Sequence, residues 1–321
     1  MYSLGFDIGG TKCAVILGKG EMPENHNELI IDKEAFPTDV KRGWRLIIEE
    51  MLASADRILS RNGIQSPAKE LTGIGISCGG PLDSRKGTIN CPPNLPDWDN
   101  VPICDIFASH FGIRPVLQND ANACAVAEWK FGAGKGTQNM IFLTFGTGMG
   151  AGLILDGKLY SGTNDMAGEV GHIRLEADGP EGYGKKGSFE GFCSGGGIAR
   201  LGHIMLAKAK ETGENSVLFN EEEISAKTIA IAAKKGDKIA KEIYNACAKK
   251  LGLGLSILID ILNPEAIVIG SIYSRDKELF DDILNDVIKK EALSYGAGVC
   301  KILPAELGNS IGDYAALGLA F

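Results

Sequence analysis

The chain has 321 residues, a net charge of −8, 44% hydrophobic residues and 23% charged residues. That balance belongs to a soluble folded chain with material for roughly two domains, and it speaks against disorder. The acidic charge and the lack of a basic cluster speak against a nucleic-acid partner. No apolar run reaches the roughly 18 residues that span a membrane, and the N-terminus lacks a charged-then-apolar leader, so a cytoplasmic location is expected.

In chain order, strands are expected over 2–7, 13–17 and 29–36, with the glycine turn "IGGTK" between the first two. Residues 43–62 carry apolar side chains at helical spacing and stop at Asn62-Gly63, a good C-cap. A strand over 71–77 runs into Gly79-Gly80-Pro81. The loop "NCPPNLPDWDNVP" follows, and then a short helix over 103–111. After the stretch "VLQNDANACA" (116–125) and its helix, strands over 139–145 and 152–155 flank "GTGMGA", and Asp156-Gly157 turns into Leu159-Tyr160. Strand, Gly-Thr turn, strand, turn, strand has thus occurred twice, which is a duplicated architecture. Beyond Gly195 helices are expected over 224–235 and 237–262, then a strand over 266–269 and a last helix over 311–320. The chain reads as two α/β domains. One spans 1–115, with the helix at about 308–321 packing back on it, and the other spans 116–307, with ligands in the cleft between them.

The eight cysteines (13, 78, 91, 104, 124, 193, 247 and 300) are scattered and include no C-x-x-C pair. Reduced, mostly buried thiols are expected, and neither a disulfide framework nor a thiolate metal cluster is supported.

Three features carry chemistry. In "VLQND" an apolar strand stops on an acid. Asp120 and Asn119 are good helix caps, and a carboxylate at the C-terminal end of a strand is also where α/β enzymes place catalytic groups. The turns "FDIGGTKCAV" and "FGTGMGAGL" admit two readings as well. Glycine supplies positive φ to a hairpin, whereas bare amides with a hydroxyl and an ammonium make a cradle for phosphate oxygens. Each turn is followed by a strand, which excludes the Rossmann and Walker loops, and in "GAGKGT" (132–137) Lys135 is followed by Gly136 where a Walker loop needs Ser or Thr.

The ordered set "DIGGTK" (7–12), "GIGISCGGPLD" (73–83), "PNLPDW" (93–98), "QNDANA" (118–123), "FGTGMGAG" (145–152), "AGEVGH" (167–172) and "GSFEGFCSG" (187–195) resembles the ROK family of sugar kinases over essentially the whole chain. The resemblance implies a two-domain actin-like or hexokinase-like ATPase fold of the ribonuclease H-like kind, ATP and Mg²⁺ as cofactors, and a homodimer. It implies Asp120 as the base that takes a proton from a sugar hydroxyl, and Gly80, Asn94, Asn119, Glu169, His172 and Glu190 as sugar-binding residues. Gly9, Gly10, Thr11, Lys12, Gly146, Thr147 and Gly148 would hold phosphates, Gly270 the adenosine, and Asp7 the Mg²⁺, directly or through water. Those residue types suit the work, because carboxylates and amides accept from neighbouring hydroxyls and phosphoryl transfer mainly requires positioning and neutralised charge.

The chain departs from the family in one segment. Most ROK kinases carry a zinc motif after the E-x-G-H histidine, but here Glu181, Tyr183 and Ser188 stand at the three cysteine positions of "EGYGKKGSFE". No zinc site is expected, and another partner, such as the carboxylate of Glu181, must orient His172. The expected activity is transfer of the γ-phosphoryl group of ATP to a hexose, at the 6-hydroxyl, with glucose favoured. N-acetylmannosamine, fructose and a β-glucoside remain open as acceptors. A catalytically silent sugar-binding protein would not need Asp7, Lys12 and Asp120 together. A repressor would need a helix-turn-helix ahead of "DIGGTK", where only six residues stand.

Overall fold

The computed structural model describes residues 1–321 except Met22 and Glu24. Contacts divide it into two compact units, Met1–Gly136 with Leu159–Ala167 and Asn309–Phe321, and Thr137–Lys158 with Gly168–Gly308. Where the sequence reading divides the chain between 115 and 116, the strand at 116–119 pairs with the strand at 71–78 and, with the helix that follows it, lies in unit 1.

Unit 1 contains strands β1 (Tyr2–Ile8), β2 (Lys12–Lys19), β3 (Ile30–Pro37), β4 (Leu71–Cys78), β5 (Leu82–Asp83), β6 (Thr88–Ile89) and β7 (Val116–Asn119). Its helices include α1 (Trp44–Arg61), α2 (Pro67–Glu70), α3 (Ile103–Phe111) and α4 (Asp120–Phe131). The main sheet runs β3-β2-β1-β4-β7, with β1 antiparallel to β2 and parallel to β4, and β4 parallel to β7. Ile47, Ile48, Met51, Ala55, Ile58 and Leu59 recur at helical spacing on α1 and are buried in the unit's core.

Unit 2 contains β8 (Met140–Phe145), β9 (Met149–Leu155), β11 (Glu181–Gly182), β12 (Lys185–Lys186), β13 (Ala266–Ile269) and β14 (Lys301–Pro304), and the edge strand β10 (Lys158–Tyr160) starts in it at Lys158, its other two residues counting with unit 1. Its helices are α5 (Phe189–Phe192), α6 (Gly195–Thr212), α7 (Ala226–Lys234), α8 (Lys238–Leu262), α9 (Ile272–Asp276), α10 (Asp281–Glu291) and α11 (Ser294–Val299). The sheet order β10-β9-β8-β13-β14 repeats that of unit 1, with β8 antiparallel to β9 and parallel to β13, and β13 parallel to β14. The duplication expected from the two Gly-Thr turns is therefore complete at the level of sheet topology. Phe280 is fully buried between Phe145 and Tyr244, at ring separations of 5.6 and 5.3 Å.

The last helix, α12 (Ile311–Gly318), belongs to unit 1 and lies directly on β1 and β4. A Cβ at Gly75 would stand 2.1 Å from the Ala316 carbonyl oxygen, and one at Gly73 would stand 2.2 Å from that of Ala320. These two glycines let helix backbone touch sheet backbone. Among the described residues no helix is long and apolar enough to cross a membrane.

Candidate active site

In unit 1 the parallel register aligns Asp7 with Ser77 on β4, and Ser77 with Gln118 on β7, so Asp7 and Asp120 both arrive at the C-terminal ends of their strands. There the chain leaves the sheet, and side chains at strand ends are not tied into the ladder. The two readings of "VLQND" separate cleanly. Asn119 is the N-cap of α4, its side-chain oxygen accepting from the Asn122 amide at 2.8 Å. Asp120 is the first helical residue, and one of its carboxylate oxygens accepts from its neighbour Ala121 at 2.8 Å. Capping thus falls to Asn119, and the acid is not needed for it.

Both carboxyls resist ionisation. Burial holds Asp120 above the usual carboxylate range. Burial, then the charges of Asp313 and Asp120, lift Asp7 to about 6, against the opposing pull of Lys12 and Lys33. Asp313 stands in the first turn of α12, ion-paired with Lys33 at 2.6 Å. A Cβ at Gly312 would lie 2.8 Å from Oδ2 of Asp7, so the start of this helix presses on the carboxylate.

The first glycine turn corrects one expectation. Neither Gly9 nor Gly10 has the positive φ expected of a hairpin glycine, and neither do Gly146 and Gly148. Glycine is required here for close approach instead. A Cβ at Gly10 would stand 2.6 Å from the carbonyl oxygen of Asn94, and one at Gly9 would stand 2.9 Å from that of Lys12. The side chain of Asn94 continues to Gly79, 3.3 Å from its would-be Cβ, and Asn119 borders Gly80 at 4.0 Å. Gly10, Asn94, Gly80 and Asn119 therefore form one neighbourhood. Asn94 is exposed on a loop anchored by Leu95 and Trp98, both fully buried. Thr11 and Lys12 are exposed at the turn. Thr38 fixes it from behind, its hydroxyl donating to the Gly9 carbonyl at 2.5 Å and its amide to that of Thr11 at 3.0 Å.

In unit 2, β9 begins at Met149, which shortens the second turn to Gly146-Thr147-Gly148. Gly146 accepts at its carbonyl from the Gly195 amide at 2.7 Å. Oε2 of Glu190 accepts from the Met149 amide at 2.9 Å, and a Cβ at Gly148 would collide with that oxygen at 2.8 Å. Glu190 thus holds the turn through one carboxylate oxygen. The segment Gly168 to His172 lies on β9. A Cβ at Gly168 (φ 89°) would stand 2.0 Å from the Ala151 carbonyl, and one at Gly171 would stand 2.2 Å from that of Met149. This brings exposed Glu169 and His172 beside Glu190, whose Cβ is 3.2 Å from the Gly171 position. Gly270 closes β13, donating to the Leu143 carbonyl at 3.0 Å, and is followed by Ser271.

The segment in place of the zinc motif is a hairpin. Glu181 and Gly182 pair with Lys186 and Lys185, Tyr183 is exposed at its turn, and buried Ser188 caps α5 by accepting from the Gly191 amide at 3.1 Å. The partner expected for His172 is not the one found. Among the described residues no hydrogen bond joins Glu181 to His172. The Lys185 ammonium instead donates to the His172 backbone carbonyl at 2.6 Å, which fixes the loop and leaves the ring to other contacts. Among the described residues no group of three or more His, Cys, Asp or Glu is placed to hold a metal ion.

Sequence reasoning missed Thr38, Gly312, Asp313 and Lys185. The first three act across strands or from the far end of the chain, where no spacing rule reaches. Lys185 sits in a segment read only for what it lacks.

A sequence profile described as the ROK family matches residues 3–320. The chain is 32% identical over 327 residues to a glucokinase of Streptomyces coelicolor, covering 99% of this chain and 97% of that one. Among solved structures it is similar to the ROK hexokinase from Thermus thermophilus, with a TM-score of 0.81, 27% identity, and coverage of 100% and 98% of the two chains. It is also similar to a ROK family glucokinase from Streptomyces griseus in complex with glucose and AMPPNP, with a TM-score of 0.75, 29% identity, and coverage of 100% and 99%.

Proposed function

Because the chain belongs to the ROK family, we propose that it is an ATP-dependent sugar kinase that transfers the γ-phosphoryl group of ATP to the 6-hydroxyl of a hexose, with glucose as the favoured acceptor. The glucokinase relative at 32% identity and the glucose and AMPPNP complex of the Streptomyces griseus protein at 29% support that acceptor. The observation that carries the reading is the carboxylate of Asp120, which follows β7 directly, is held above the usual carboxylate range by desolvation, and is relieved of capping by Asn119.

In this reading Asp120 accepts the proton of the sugar hydroxyl as its oxygen attacks the γ-phosphorus. The bond from phosphorus to the bridging oxygen breaks, ADP leaves, and the proton passes from Asp120 to water. A carboxyl lifted above its ordinary range is a better proton acceptor once ionised. By the ROK resemblance, the sugar's hydroxyls are assigned to Gly80, Asn94, Asn119, Glu169, His172 and Glu190. Gly9 to Lys12 and Gly146 to Gly148 hold phosphate oxygens, and Gly270 borders the adenosine. Asp7 fits the Mg²⁺ of Mg-ATP. It is a hard oxygen donor whose pKa is raised first by burial and then by the negative field of Asp313 and Asp120, and a divalent cation would neutralise that field. Lys185 and the hairpin hold the His172 loop without zinc.

Replacing Asp120 by Asn keeps the shape and removes the proton acceptor. Asp120→Asn is expected to bind glucose with nearly unchanged affinity by calorimetry while turnover falls by about 10²-fold or more. Wild-type turnover in that variant would remove Asp120 from the role of base.

A further inference from the structure

Nine non-glycine residues among those described have positive φ, and six of them are Asp or Asn, which tolerate the left-handed region. Ser271 differs in kind. At φ 56° and ψ −108° it lies outside the left-handed helical well, in the conformation that the first central position of a type II′ turn demands and that glycine normally supplies. A strained residue of this kind persists only where its surroundings over-determine it, and such residues gather at ligand-binding positions.

The surroundings of Ser271 point to a ligand. Its hydroxyl lies 3.5 Å from where a Cβ of Gly146 would stand, against the Gly146-Thr147-Gly148 turn. The same oxygen accepts from the guanidinium of Arg275 at 3.2 Å. Arg275 is exposed, and among the described residues it forms no ion pair with an acid. The turn itself is fixed, since the Gly146 carbonyl is taken by the Gly195 amide and the Gly146 amide by the Gly148 carbonyl at 3.1 Å. A rigid glycine turn, an oriented hydroxyl and an uncompensated guanidinium all lie within unit 2. A guanidinium matches phosphate oxygens better than any other side chain does.

We propose that Ser271 and Arg275 form a phosphate-binding pair for the nucleotide, with the strained serine retained for the hydroxyl that glycine could not supply. The inference rests on the kinase reading above and adds two residues to it. The side chain of Ser271 contacts a phosphate oxygen and holds Arg275 over the same group.

Two substitutions separate backbone from hydroxyl. Ser271→Gly removes both strain and hydroxyl, Ser271→Ala removes the hydroxyl and keeps the strain, and Arg275→Ala removes the cation. Affinity for AMPPNP and for adenosine would be measured by calorimetry on the full chain, together with thermal unfolding of the unliganded protein. Ser271→Gly is expected to raise Tm by about 2–4 °C. It should weaken AMPPNP about tenfold or more, the scale of one hydrogen bond to a charged group. Ser271→Ala should lose the same affinity without the gain in Tm, Arg275→Ala should lose at least as much, and adenosine affinity should not change in any of the three. Unchanged AMPPNP affinity in all three variants would overturn the pair, as would an equal loss for adenosine, which would place the hydroxyl on the nucleoside. A wild-type protein that binds no AMPPNP would overturn the kinase reading itself.

Discussion

Asp7 and Asp120 are held at the ends of β1 and β7 in surroundings that disfavour their charged forms, and for Asp7 the consequence for folding can be given a sign. The folded protein keeps the Asp7 proton up to about pH 6, whereas the unfolded chain releases it near the ordinary 3.8. Between those values the folded state binds more protons, so stability is greatest below the window and falls as pH rises through it, by roughly 3 kcal/mol at most. Asp7→Asn is therefore expected to flatten the dependence of Tm on pH between about pH 4 and 6 in magnesium-free buffer and to be the more stable protein at neutral pH. A variant that follows the wild-type curve would show that Asp7 ionises freely. Gly148 makes a second case. A Cβ there meets only the flexible end of Glu190, so Gly148→Ala should fold with little change in Tm yet push that carboxylate off the Met149 amide. Its kcat/KM should drop about tenfold or more, and an unchanged value would mean that this contact does not shape the turn.

Among the elements, the glycine turns and α12 share one device, backbone packed against backbone where no side chain fits. On β4 the device is open to direct test. Gly75→Ala puts a methyl 2.1 Å from the Ala316 carbonyl, and neither sheet nor helix backbone can swing aside. It should cost about 1–3 kcal/mol, read as a lower Tm, whereas an unchanged Tm would mean that α12 is free to shift. Much of this level was legible in the sequence. The helix at Ile103–Phe111 and the strand at Ala266–Ile269 have the bounds their periodicity implies, and Asn62 ends α1 as its C-cap. The reason for the turn glycines was not legible, because close approach is set by residues such as Asn94 and Glu190 that lie far along the chain. The helix α10 and the strand β14 were not anticipated either. Apolar residues are sparse on the first, with only Leu284 and Ile288 buried, and the second is four residues long with none of them fully buried.

For the molecule as a whole, the repeated sheet order is the physical content of the repeated Gly-Thr turns. The strand pattern of "FDIGGTKCAV" predicts that of "FGTGMGAGL" because each must present a tight turn at the end of an antiparallel pair. The site residues divided the same way. Asp7, Asp120 and both turns could be found from strand ends and glycines, whereas Thr38, Asp313 and Lys185 gain their roles only when the chain is folded. The hairpin at 181–186 also carries a prediction at this scale, since nothing in it calls for zinc: a zinc-selective chelator should leave both Tm and turnover unchanged in magnesium-containing buffer, and loss of either would show a metal the hairpin depends on. The most direct measurement of the central claim is ADP release from Mg-ATP with glucose, N-acetylmannosamine, N-acetylglucosamine, fructose, allose and a β-glucoside offered in turn. The account predicts sugar-dependent turnover, fastest on glucose and abolished to background in Asp120→Asn. ADP release that no sugar stimulates, from protein that still binds AMPPNP, would contradict it.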